Sequence, residues 1–511
     1  MRRFKRCASR MLLLSGTAML VTTAGPAAAQ GAGSPGTSAR EAALEARLKL
    51  LEQAVSDLRS ELVRSRASSS VAASTAPVAT GASAGAAPTA VASASSGSSG
   101  PSGPSASSGP GVNPQVASAG TAGGPTANST ASSTASSPSG DGFRIGNTTV
   151  KLNGFVRLNV IASRYSDGEV AVGGLGKEFF LPQQIPVGGG FSSEDLLLSA
   201  RQTRLGFSTS TPVNGTDIKT LIEFDFALAT APVGAQRATN PYTPTFRRGF
   251  IEYGRWLVGQ EWSTFQNLGV LPETTDFVGP LDGTVFNRQA LIRYTVPLRP
   301  GMTLQLAAEN PETETALPTN AALVDTDDDR LPDVVARVNW KGTLGEFALA
   351  GIARELRTDT LGVGDSAFGW GVSGSGKIPF GARHDLRFMA TYGQGIGRYL
   401  GLGYVPDAIY GGTAQSLGRI DNFAAFAALK LGWSATVRST FMGSYQSADY
   451  PEGVIVTGLA NAKSYGGAAN LFWTPAKGFD LGIEYRHAVR ELLSGDKGAL
   501  DRVEFAVKYG F

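Results

Sequence analysis

Charged and polar residues recur at alternate positions along short stretches of this chain, with apolar residues between them. In 434–448, Arg438, Thr440, Ser444 and Gln446 alternate with Val437, Phe441 and Tyr445. In 478–490, Asp480, Glu484, Arg486 and Arg490 alternate with Phe479, Leu481, Ile483, Tyr485 and Val489. In 216–228, Asp217, Lys219, Glu223 and Asp225 alternate with Ile218, Ile222, Phe224 and Phe226. The chemistry open to such rows is recognition of anions, because a guanidinium stays charged and grips a carboxylate through two parallel hydrogen bonds. Catalysis has less support. The chain has two histidines, His384 and His487, one cysteine, Cys7, and no nucleophile spaced with a base.

A period of two places successive side chains on opposite faces of a strand. If the apolar face meets lipid, the polar face lines a lumen. Applied throughout, that rule turns inward Arg157, Arg204, Lys219, Arg248, Arg293, Arg337, Arg354, Arg387, Arg438, Arg486 and Arg490. Lys151, Lys341, Lys377, Lys430, Arg502 and Lys508 bring the set to seventeen. Ten acids face the same way: Asp217, Glu223, Asp225, Glu252, Glu309, Glu346, Asp385, Asp480, Glu484 and Glu504. The lumen is then 17 − 10 = +7. Its low-dielectric wall focuses that field and enriches anions, although wall ladders of paired charges would absorb part of it. Arg247 and Arg248 are adjacent and break the alternation, and Arg248 is the one assigned inward. Alternation along lumenal faces, rather than a surface patch, argues against nucleic acid as a partner.

These stretches require an all-β framework. From Phe143 onward sixteen alternating segments can be written, near 149–163, 197–210, 216–228, 245–253, 256–265, 285–296, 302–310, 333–341, 346–357, 367–377, 385–394, 420–431, 434–448, 463–474, 478–490 and 499–511. Connections alternate between short turns such as Pro212-Val213-Asn214-Gly215 and long loops such as 164–196, 266–284 and 395–419. An even strand count with short turns at one end and long loops at the other predicts a 16-stranded antiparallel transmembrane β-barrel over 142–511. A soluble propeller or sandwich also has many short strands. It would not sort its loops by length. Both barrel termini fall on the short-turn, periplasmic side.

The preceding residues read differently. Five basic residues, the apolar run Met11–Val21 and Ala27-Ala28-Ala29 make 1–29 a secretory signal peptide. Its removal takes Cys7 and leaves a net charge of 40 − 42 = −2. Leu44, Leu48, Leu51, Val55, Leu58 and Leu62 form a heptad seam, so 38–66 is expected to be a coiled-coil helix. The Ser-, Ala-, Gly- and Pro-rich segment 67–141 is expected to be a disordered linker spanning roughly 45–50 Å.

Two loops carry candidate sites. The third long loop, 266–284, is expected to bend into the lumen and place Glu273 and Asp276 opposite the basic wall as a constriction. Asp325, Asp327, Asp329 and Asp333 have the spacing of a Ca²⁺-binding loop, but Arg330 stands where the usual glycine would. An acidic solvated loop is the alternative.

Lys151-Leu152-Asn153-Gly154-Phe155-Val156, Ala200–Phe207, Gly259-Gln260-Glu261-Trp262-Ser263-Thr264-Phe265 and Gly393–Leu400 resemble segments of the DcaP-like porins. The likeness covers about 143–511. It implies a trimeric sixteen-stranded barrel that passes small, often dicarboxylic, anions across the bacterial outer membrane. Phe250 and Leu291 depart from the family pattern, which bears on the particular solute more than on the fold. The alternating stretch Val503–Phe511 also resembles the C-terminal signal read by the barrel-insertion machinery. The competing role is a structural tether joining the membrane to the cell wall through coil and linker.

Overall fold

The structure, a computed structural model, describes residues 142–227, 239–240, 242–325, 328–359, 364–411 and 416–511. The signal peptide, coiled coil and linker expected over 1–141 lie outside these residues, as does Asp327.

Sixteen antiparallel strands close into a barrel. They are β1 (Thr148–Tyr165), β2 (Ser193–Ser199 continued by Arg204–Val213), β3 (Thr216–Asp225), β4 (Thr245–Tyr253), β5 (Trp256–Trp262), β6 (Arg288–Arg299), β7 (Met302–Glu309) and β8 (Asp333–Gly342). They continue as β9 (Gly345–Thr358), β10 (Asp365–Phe380), β11 (His384–Gln394), β12 (Asp421–Gly432), β13 (Val437–Asp449), β14 (Asn461–Ala476), β15 (Phe479–Leu492) and β16 (Lys497–Gly510). Each pairs with its neighbour in sequence. The ring shuts where Phe155–Tyr165 of β1 pairs with Leu500–Gly510 of β16. Closure leaves no unpaired edge, which a strand surrounded by hydrocarbon requires.

The alternation read from sequence is the alternation observed. Val156, Phe207, Ile292, Leu349, Ile483 and Val503 are exposed on the outer wall. Trp256, Trp340 and Trp473 lie outward near the short turns, and Tyr392, Phe423, Tyr445 and Tyr485 outward toward the long loops, the two aromatic girdles of a membrane barrel. Among the described residues no helix is long and apolar enough to cross a membrane. The crossing elements are the strands.

Several features depart from the expected segments. β2 starts earlier than the alternation indicated and is broken at 200–203, where Arg201 turns in and donates to the Phe226 carbonyl at 3.0 Å. A short strand, Phe143–Ile145, continues the ladder on β1. In the long loops, Asn320–Asp325, Glu314–Leu317, Ala408–Gly411 and Ser416–Arg419 form a separate four-stranded sheet.

The barrel is not hollow at the long-loop end. Three connections fold inward. Residues 166–192 bring Phe179, Phe180 and Leu181, residues 263–287 bring Phe265, Val270 and Val285, and residues 395–407 bring Tyr399 and Leu400, all buried. They pack on small or apolar inward residues of the wall, such as Ala350, Ala424, Ala428, Ala488 and Leu500. Gly283 shows how closely loop and wall approach: a Cβ there would sit 2.4 Å from the Ala425 carbonyl oxygen.

Candidate functional site

The charged lumen divides into two parts that periodicity alone could not separate. On one side of the barrel, arginines hold the inward loops. Arg293 donates to Thr264 Oγ1 at 2.8 Å and to the Trp262 carbonyl at 2.6 Å. Arg337 holds Gln305 and the Gln266 carbonyl, and Arg387 holds Asp385 and the Leu271 carbonyl. Arg354 is enclosed by Asp333 at 3.3 Å and Asp407 at 2.9 Å. Arg438 grips Glu273 and reaches Asp480 at 3.2 Å. Arg486 pairs with Glu484 at 3.0 Å and lies 4.6 Å over the Phe180 ring. Arg490 donates to the Ile185 carbonyl at 2.9 Å. The planar fork suits this work, since it can satisfy loop carbonyls that would otherwise be buried without a donor.

The other side is a cavity of about 120 Å³ between strands β16 and β1–β5 and the inward loop, residues 268–286. Five basic side chains line it, Arg157, Arg204, Arg247, Arg248 and Lys508, against two acidic ones, Glu223 and Asp276. Arg248 forks onto Glu261 at 2.8 and 2.5 Å, while Arg247 binds Glu223 at 2.9 Å and Asp225. Lys508 faces Asp480 at 3.2 Å. Arg157 donates to Asn159 at 3.1 Å and to the Thr275 carbonyl. Arg204 is the least engaged: its nearest carboxylate oxygens are 3.7 Å (Asp225) and 3.9 Å (Glu223) away, and its Nε has no partner. Its guanidinium lies 5.2 Å from the Phe155 ring centre and 5.6 Å from that of Phe277.

Asp225, Glu261 and Asp480 stand behind this face as counter-charges. The cluster is therefore nearly compensated as a whole, and the distributed surplus of +7 gives way to a local guanidinium face lining the cavity. Such a face can bind and orient a small carboxylate without carrying a large net field.

Periodicity missed Arg247. The pairing between β3 and β4 slips between Glu223 and Phe224, so that Glu223 faces Arg248 and Phe224 faces Phe246. The extra residue in that bulge is Arg247, and both arginines turn inward and are buried. The signal was present as the broken alternation of Thr245-Phe246-Arg247-Arg248-Gly249. Lys219 pairs with Glu252 at 3.7 Å near the short-turn end, half-exposed and away from the cavity.

The two acids expected at the constriction are both engaged by protein groups. Glu273 is bound by Arg438, and Asp276 accepts from the Phe180 amide at 2.7 Å and the Val278 amide at 3.0 Å. Glu273 thus ties the loop to the wall, while Asp276 joins it to the inward segment that carries Phe180. Of the four candidate metal ligands, the structure describes the side chains of Asp329 and Asp333, and these have different partners. Asp329 accepts from the Thr313 amide and hydroxyl at 2.9 and 2.6 Å. Asp333 is buried in the lumen beside Arg354, Arg398 and Tyr399. Among the described residues no group of three acidic, histidine or cysteine side chains could hold an ion.

A closed sixteen-stranded barrel with an apolar outer wall, a polar lumen and a loop folded across it is an outer-membrane porin. Residues 144–511 match the model of the DcaP outer membrane protein family, and the chain belongs to that family. Its fold is similar to that of the outer membrane channel DcaP of Acinetobacter baumannii, with 24% identity and a TM-score of 0.61 over 72% of this chain and 99% of that one. OmpT of Vibrio cholerae aligns at 11% identity and a TM-score of 0.46, over 72% of this chain and 100% of that one. No match was found among curated protein sequences.

Proposed function

We propose that this porin is a passive diffusion channel preferring small anionic organic solutes, dicarboxylates among them. The observation that supports this reading is Arg204, a guanidinium with no carboxylate closer than 3.7 Å, among five cations lining the cavity between the wall and the inward loop. A hydrogen bond to a charged group contributes about 1.5–3 kcal/mol, enough to favour an anion while letting it leave. Three copies form the working unit, and the coil of 38–66 reinforces the assembly from the periplasm. Reversal potential under a salt gradient in a planar bilayer tests the charge preference. Anion selectivity is expected, and clear cation selectivity would overturn the reading. Liposome swelling across dicarboxylates, sugars and amino acids then ranks the solutes.

A further inference from the structure

A second cavity, of about 200 Å³, lies away from the constriction, among the loops at the long-loop end. One part of its wall is apolar, Leu317, Leu323, Ile409, Val456 and Leu459, and the other is polar, with Gln183, Asn461 and the two tyrosines Tyr404 and Tyr450. Two of these leucines are well exposed, Leu459 at 68% and Leu323 at 46%. Leaving leucines open to water on a loop surface is unfavourable unless something covers them.

One charged group lines this cavity. Arg490 donates through Nε to Asn461 at 2.7 Å and through Nη1 to the Ile185 carbonyl at 2.9 Å. Among the described residues it enters no ion pair, unlike Arg354, Arg438 and Arg486. Its sequence neighbour Glu491 does not compensate it, being held by Lys463 and Lys497, each at 3.3 Å. A half-buried guanidinium without a carboxylate, set beside an apolar wall, is a site lacking its counter-charge.

We infer that this cavity is a capture site for a small amphipathic carboxylate, an apolar body of about ring size bearing one anionic group. The apolar part lies on Leu317, Leu323, Ile409 and Val456, and the carboxylate meets Arg490. This class differs from the compact polar anions suited to the Arg204 face. The site is independent of the channel's selectivity, because it can bind whether or not the ligand passes.

The test is calorimetric titration of the folded full-length porin in detergent with cyclohexanecarboxylate, with cyclohexanemethanol and cyclohexanemethylamine as neutral and cationic counterparts. Saturable binding of the carboxylate is expected, at least about tenfold tighter than the other two, since charge-assisted hydrogen bonds contribute well over 1.4 kcal/mol. Arg490→Gln should remove most of that difference. Leu323→Asn, on an exposed hairpin, should weaken the carboxylate and the alcohol alike. Heat-modifiable gel mobility confirms that each variant is folded. Equal affinity for the three probes, no loss on Arg490→Gln, or displacement of the carboxylate by excess succinate would overturn the assignment. Because no current is measured, these outcomes are separate from those of the selectivity experiment.

Discussion

Arg438 on β13 and Glu273 on the inward loop, 165 residues apart, are joined by two near-parallel hydrogen bonds of 2.6 and 2.5 Å. Both side chains are buried, so the pair sets the loop's position far more firmly than a surface ion pair could. Removing one partner leaves the other charge unmatched.

Arg438→Ala is therefore expected to cost about 3 kcal/mol of stability and to release the loop. Single-channel conductance should rise and its fluctuations grow, and deleting residues 270–282 should raise conductance further. Unchanged conductance in both variants would show that the loop does not limit the pore.

Arg204 makes no close ion pair, so its loss should affect solutes more than folding. Arg204→Gln is expected to reduce dicarboxylate uptake about tenfold, the equivalent of one charge-assisted contact, with little change in melting temperature. Lys219→Gln, near the short-turn end, should leave uptake within about twofold. Equal effects at both positions would favour a diffuse field over a local guanidinium face.

Asp282 gives the loop a pH dependence. Burial pushes its carboxyl up from the ordinary value of 3.8, and hydrogen bonds from Ser444 and Ser464 and the nearby Arg486 offset this only in part. A raised carboxyl means that the fold prefers the neutral form. Its contribution to stability is complete below about pH 4 and is lost as the pH climbs to the raised value. Asp282→Asn is neutral throughout, so it should melt above the wild type at pH 7.5 and converge with it near pH 4. A difference that does not vary with pH would contradict this.

Gly283 lies against β12 with no room for a methyl group, only 2.4 Å separating its would-be Cβ from the Ala425 oxygen. Gly283→Ala is expected to shift the loop and cost about 1–3 kcal/mol, visible in thermal melts. Gly215→Ala, in a turn where a Cβ would meet nothing within 4 Å, tests a glycine with positive φ (80°) but ample space. It should cost about 1 kcal/mol through backbone strain alone.

The strands were legible because lipid and lumen impose a strict two-residue period, so all sixteen barrel strands overlap the segments that alternation marked, β2 alone being broken and extended. Arg157, Arg204 and Arg248 were found by the same rule. Arg247 was not, since a bulge shifts the period by one and only local pairing reveals it. The roles of Arg337, Arg387 and Arg490 were hidden for another reason. Their partners are carbonyls of loops distant in sequence, and a carbonyl leaves no mark in the residue types. Phe179-Phe180-Leu181, an apolar run inside a polar connection, was the available clue that a second loop turns inward.

That reliance on carbonyls has an evolutionary corollary. Arg293, Arg337, Arg387 and Arg490 each hold a peptide oxygen, which every residue supplies. Residues 185, 266 and 271 of the inward segments can then change side chain while the wall keeps the same hold on their backbone. Side-chain identity and backbone path are thereby uncoupled along the inner wall.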